Sequence, residues 1–421
     1  MRSFAISTVL LSALLTSCTT EAVNPLGEEW RGTITTEGNV TTVVNESGSV
    51  WGGTATLVEE SSIGVASGPE EYMLAQISAL YATDREIYVL DSGTSKVRIY
   101  DLAGNHLRSF GREGQGPGEF GRFPADVAVG LGGRIFVNDH TNRRINIYNA
   151  EGEVTDQAPL SSQVACCRLR MVFADGGGIW MHVRVVGLNS GSAHEGIRIH
   201  TTHGPIGVTR RVPELKYDRR VVSVSGIEYD IVPFAAKIVW TLGYDESMIV
   251  GASDRYRFQI IRPDGSTTKV ERFWDPSPVT TDEVDYWRRF TIASFMSARD
   301  LSWNGENIPD HKAAYLAMLP SLSGELWLIR QGSGSPAVCA PPPEELAHAV
   351  ARNPFELPAC LLGKLIVDVF DSSGRYLGDV EGFPNHLHNP FISGTTVVAV
   401  AQDDAGTVMV KRYRLVLPGE E

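Results

Sequence analysis

The stretches IYVLDSGTSKVRIYDLAGN (87–105) and IFVNDHTNRRINIYNAEGE (135–153) are two versions of one pattern, offset by 48 residues (135 − 87). Each reads strand, polar turn, strand, with β-branched and aromatic residues in matching slots. An Asp follows the first run (Asp91, Asp139) and a Gly closes the second (Gly104, Gly152). A repeat of this length built from short strands cannot bury its faces alone. It must stack on its neighbours, which is the logic of a propeller blade.

The closing signature returns in worn form at IHTTHG (199–204), IIRPDG (260–265) and VFDSSG (369–374). A strand candidate precedes each: GIWMHV (178–183), SMIVGA (247–252) and ELWLIR (325–330). TTVVAVAQDDAGTVMVKRYRLV (395–416) supplies two strands of a sixth unit and then nears the C-terminus. Inner strands are expected to begin near Ile77, Ala125, Leu169, Phe234, Ala313 and Pro390. The expected fold is all-β: a six-bladed propeller over residues 28–418, closed by an N-terminal strand. WRGTITTEGNVTTVVN (30–45) is the expected closing strand, paired with the strand ending near Val416, because a sealed ring leaves no open sheet edge. Asp91 and Asp139 are expected to cap their turns, with Lys96 and Arg144 as their partners.

GREGQGPGEFGRFPADVAV (111–129) carries a Gly-rich GxGPGEF followed by Pro and an apolar strand. VNDHTNRRINIY (137–148) follows the pattern VxDxxNxRIxIY. With DRYRFQIIRPDGS (254–266) and IPDHKAAY (308–315), these stretches make the chain resemble the NHL-type bacterial 6-bladed β-propeller lipoproteins. The resemblance is strongest over 73–154. It implies the fold and no particular reaction, since propellers host many functions.

Arg2 and the apolar run Phe4 to Leu15 read as a secretion signal, too short to span a bilayer of about 20 residues. Leu15-Thr16-Ser17-Cys18 looks like a lipobox, with residues 1–17 removed, Cys18 lipidated and 18–27 left as a tether. Thr19 after the Cys resembles the signal sent on to the outer membrane. The expected address is the bacterial cell envelope, facing periplasm or cell surface. Cys166, Cys167, Cys339 and Cys360 remain as disulfide candidates. A Cys339–Cys360 bridge would close a loop of about 20 residues, worth roughly 3 kcal/mol. Pairing of either with Cys166 or Cys167 is the alternative. A net charge of −13 argues against nucleic acid and against anionic lipid surfaces, leaving the acyl chain as the membrane contact.

TTDEVDYWRRFTIASFMSA (280–298) breaks the strand pattern. Thr280 and Glu283 make a capping box, and Val284, Trp287, Ile292, Phe295 and Met296 make an apolar stripe. A helical insertion at about 280–299, between blades 4 and 5, is expected. PEELAHAVARNPF (343–355) reads as a shorter helix. Residues at the starts of inner strands line a propeller's channel. Here they include Arg122, Arg168, Arg170, Lys237, Asp310, His311 and Lys312, and the basic members suggest an anion trap. His386 and His388 share one face of a strand and are the best-spaced metal ligands, for zinc or calcium. No cofactor is otherwise expected. GxSxG, GxxxxGK[ST] and HExxH are absent from the sequence. The favoured expectation is a binding module for a peptide, glycan or partner protein. The alternative is a metal-dependent hydrolase or lyase acting in the channel.

Overall fold

The structure is a computed structural model. It describes residues 28–122, 124–160, 164–165, 171–173, 178–186, 193–201, 209–224, 227–296, 303–332, 342–345, 347, 365–384, 390–403 and 405–420. It is a six-bladed β-propeller. Blade 1 runs from Ile77–Ala82 to His106–Phe110 and blade 2 from Asp126–Val129 to Val154–Pro159, each a four-stranded antiparallel meander. The inner strands of the other blades are Met171–Phe173, Ile238–Leu242, Ala317–Pro320 and Phe391–Ser393. All six lie within four residues of the expected starts. The core is the stack of blade faces: Tyr100, Tyr148, Phe120, Phe136, Trp327 and Phe370 are all at most 1 % exposed.

Asp91 and Asp139 are fully buried, and they hold more than a turn. Asp91 accepts from the Ala75 and Gln76 amides, and Asp139 from the Gly121 amide, so each ties its turn to the connection entering its own blade. Arg144 pairs with Asp139 at 3.2 Å, as expected. Lys96 does not pair with Asp91. It reaches Glu70 at 2.6 Å, and the buried Arg98 takes its place beside Asp91 at 3.4 Å.

The closing strand is not the one expected. β1 (Arg31–Glu37) and β2 (Val40–Ser47) form a hairpin, and β2 runs parallel to the outer strand of blade 4, Thr267–Arg272. The strand that pairs with Val408–Val416 and completes blade 6 is β3 (Ala55–Ile63). β2 has five β-branched residues of eight and β3 only three of nine, so composition alone favours the hairpin over the strand that closes the ring. Burial separates them: Ala55, Leu57, Ser61 and Ile63 of β3 point inward in alternation, whereas β1 is almost wholly exposed. Between them the chain crosses blade 5, with the Val50 and Trp51 amides donating to the Tyr376 and Leu377 carbonyls. β3 then touches the outer strand of blade 5 through Val380↔Ala55 and Glu381↔Thr56. The N-terminal segment is therefore a belt around blades 4, 5 and 6. Gly374 lets blade 5 lie close on blade 4 beneath this belt, since a Cβ there would stand 2.5 Å from Val270 Cγ2.

Insertions gather above blades 4 and 5. Helix α1 (Thr281–Thr291) starts at the expected capping box, with the Glu283 amide donating to Thr280 Oγ1 and the Thr280 amide to Glu283 Oε2. Its buried face differs from the expected stripe. Glu283, Tyr286 and Phe290 point inward, and Val284, Trp287 and Ile292 are half-buried. The residues described in 343–347 are helical, and Ala347 packs on Tyr286 and Phe290. The connection before blade 4 adds Val222, Val232 and Ala235, which pack on Trp303 of the connection before blade 5. Three separate excursions thus share two small cores and form one cap.

Candidate functional site

A cavity of about 590 Å³ lies where this cap meets the ring. The connection before blade 4 contributes Asp218, Arg220 and Phe234, and the connection before blade 5 contributes Trp274, Pro276 and Pro309 to Ala313. The floor is the turn Ser253–Arg255 of blade 4. Its size falls in the usual range of small-ligand sites, about 300–1,000 Å³.

The blade 4 turn is open there for a reason visible in the repeat. Aligned on the closing glycines Gly104, Gly152 and Gly265, all at positive φ, Ala252 occupies the slot of Asp91 and Asp139. Among the described residues no carboxylate seals this turn as Asp91 and Asp139 seal theirs. Ser253 ties it to the incoming chain, exchanging hydrogen bonds with the Lys237 amide and carbonyl at 3.0 and 3.2 Å. Asp254 and Arg255 are left facing the cavity.

Phe234 holds the opposite wall. Its φ of 60° is a left-handed value that a bulky residue adopts at a cost of about 1–3 kcal/mol. That backbone sets its ring edge-on to Trp287 of α1, with centroids 6.0 Å apart, and beneath Lys312 Nζ at 5.5 Å. Lys312 is 3 % exposed. Its ammonium donates to the Gly332 carbonyl at 2.7 Å and pairs with Glu283 at 2.6 Å. Helix, ring and cavity wall are thus fastened at one point. Arg220 pairs with Asp218 at 3.0 Å and donates to the Asn307 carbonyl.

Of the residues expected at the channel mouth, Asp310, His311 and Lys312 come together in this cavity. Asp310 and His311 are exposed, while Lys312 is committed to Glu283. Lys237 is exposed beside the cavity rather than in its lining, and Arg122 lies on the connection between blades 1 and 2. The described residues therefore do not assemble an anion trap. Lys312 is neutralised, Arg220 has Asp218, and Asp254 and Asp310 offset Arg255. Arg168, Arg170, Cys18, Cys166, Cys167, Cys339, Cys360, His386 and His388 lie outside the described residues. Among the described residues no group of three or more His, Cys, Asp or Glu could hold a metal, and no helix is long and apolar enough to cross a membrane. Trp274, Phe234, Asp254 and Arg255 were not expected from the sequence. The missing Asp at Ala252 was the one signal that could have pointed to them.

Residues 67–182 match the family model DUF5128, described as a 6-bladed beta-propeller. This span covers blade 1, blade 2 and the start of blade 3. A solved member of the DUF4221 family from Bacteroides vulgatus is 10 % identical, with a TM-score of 0.54, covering 86 % of this chain and 99 % of its own. A putative exported protein from Bacteroides fragilis is also 10 % identical, with a TM-score of 0.47 and coverages of 88 % and 99 %. Virginiamycin B lyase from Staphylococcus aureus is 9 % identical, with a TM-score of 0.40 and coverages of 85 % and 98 %. At this identity the likeness to the first is one of fold. The chain is a six-bladed β-propeller, and its first blades carry the sequence signature of a 6-bladed propeller family.

Proposed function

We propose that this protein is a lipid-anchored propeller of the bacterial cell envelope that binds a glycan under the cap of blades 4 and 5. The observation that carries the reading is the lining itself. Trp274 and Phe234 stand among Asp254, Arg255, Asp310 and His311 in one cavity. A sugar ring offers an apolar C–H face to an indole and a rim of hydroxyls that both donate and accept. Carboxylates and a guanidinium side by side suit such a rim better than they suit a simple anion. Insertions on a rigid scaffold are where binding residues collect. The alternative of a metal-dependent hydrolase or lyase rests on His386 and His388.

The test is a screen of the purified protein against envelope and host glycans, followed by calorimetry on the best ligand. Trp274→Ala and Asp254→Asn should each weaken binding at least about tenfold, the equivalent of 1.4 kcal/mol. Unchanged affinity in both variants would remove the cavity from the reading. For the anchor, Cys18→Ala should move the protein from the membrane pellet to the soluble fraction of a Gram-negative host, and unaltered attachment would refute the lipobox.

A further inference from the structure

β1 is the last strand of a six-stranded sheet, and its outer edge meets no other described strand. From Thr33 to Glu37 every residue is exposed, with Ile34 at 50 %. Proteins normally blunt such an edge. The outer strand of blade 2 (Val154–Pro159) carries Asp156 and Pro159, and that of blade 1 (His106–Phe110) carries His106 and Arg108. β1 has neither Pro nor Lys, and its charges stand only at its ends, Arg31 and Glu37.

The direction of its backbone groups follows from the hairpin. The loop is Gly38-Asn39, with Glu37 opposite Val40 and Gly38 at φ 60°, which is the first position of a type II′ turn. In such a hairpin the pair flanking the loop exchanges both hydrogen bonds, and pairs alternate from there. Thr33, Thr35 and Glu37 thus turn their amides and carbonyls toward β2. Gly32, Ile34 and Thr36 turn theirs outward.

We propose that β1 pairs with β1 of a second copy of this chain, antiparallel about Ile34. In that register Ile34 faces Ile34 and Gly32 faces Thr36, so the outward backbone groups meet in phase. Thr33 faces Thr35, and Arg31 faces Glu37 twice, once at each end. Sliding the strands to centre on Thr33 would bring Glu37 against Glu29, and centring on Thr35 would take Arg31 past Glu37 to Asn39. Cross-strand charge pairs set register in this way, and like charges directly opposite disfavour it. The dimer joins two six-stranded sheets edge to edge. Because one strand pair buries little surface, its affinity is in the micromolar to millimolar range.

The experiment uses the Cys18→Ala protein, so that no acyl chain drives association, in sedimentation runs up to about 1 mM, the weak end of specific association. A concentration-dependent dimer is expected. Glu37→Arg and Arg31→Glu should each weaken it at least about tenfold, since each sets like charges opposite one another. Both sites are exposed, and unaltered circular dichroism and melting would show that folding is intact. Mixing the two variants should restore dimer at the wild-type level, because each then meets its opposite charge in the other. A protein that stays monomeric throughout overturns the proposal and leaves the edge to a strand from a different protein. A dimer indifferent to both charge reversals also overturns it and places the contact on another face.

Discussion

Asn45 and Tyr376 stand 331 positions apart in the chain, and the Tyr376 amide donates to Asn45 Oδ1 at 2.8 Å. The same oxygen accepts from the Trp30 indole at 2.8 Å. Asn45 Nδ2 donates to the carbonyls of Glu271 and Gly374 at 3.2 and 3.1 Å. One side chain, 3 % exposed, uses its whole donor and acceptor capacity to join the belt, blade 4 and blade 5. Asn45→Ala should cost about 2–4 kcal/mol, since it strands one buried and one part-buried carbonyl and two donors. Asn45→Asp should cost more, because it points a carboxylate at two carbonyls. Urea unfolding of the two variants gives the order, and an Asp variant as stable as the Ala variant would contradict it.

Glu283 and Lys312 make the second staple. Glu283→Gln keeps the capping box and leaves the ammonium without its counter-charge. Lys312→Met does the converse. Breaking a buried pair from one side costs about 3–5 kcal/mol, whereas replacing both partners costs far less. The double variant should therefore be more stable than either single one. Proteolysis of α1 would report the loss locally. Additive losses would show that the pair is not coupled.

The turn of blade 2 predicts a pH effect. Burial is the main cause that holds the His140 pKa below its ordinary value. Arg143 adds to the effect and Asp139 opposes it. An unfolded His titrates near about 6.5. Below that pH the unfolded chain takes up a proton that the folded chain resists, so stability falls as pH falls through this window. His140→Asn should flatten that part of the profile. Melting temperatures of both proteins between about pH 7.5 and 5.5, bracketing that pKa, would show it. Equal slopes would mean that His140 contributes nothing.

The blade repeat was legible because it is a local signal: two strands, an Asp and a Gly at fixed spacing. The same logic located all six inner strands and the capping box of α1. The belt was less legible, because β-branched content favours β1 and β2 over β3, and only the blade strands that β2 and β3 meet, more than two hundred residues away, decide which one closes the ring. The cavity was least legible. Its walls come from connections with no pattern of their own, and its clearest trace is an absence, Ala252 where the earlier blades place Asp. Lys312, read as a channel ligand by position, is bound by charge to an insertion whose inward face carries Glu283.

With β3 as the outer strand of blade 6, removing residues 28–46 takes away the hairpin and the Asn45 staple but leaves the ring sealed. That variant should stay soluble and unfold cooperatively, with a melting temperature several degrees lower, as expected when a few kcal/mol are lost from a chain of this size. Removing residues 28–64 also takes β3. It strips Leu57 and Ile63 from the core and exposes the whole edge of Val408–Val416. An uncovered edge of that length is a template for pairing with other chains, so this second variant should aggregate. Side-by-side light scattering and thermal unfolding separate the two. If the shorter deletion aggregates as readily as the longer, the ring is not sealed at β3 but depends on the hairpin.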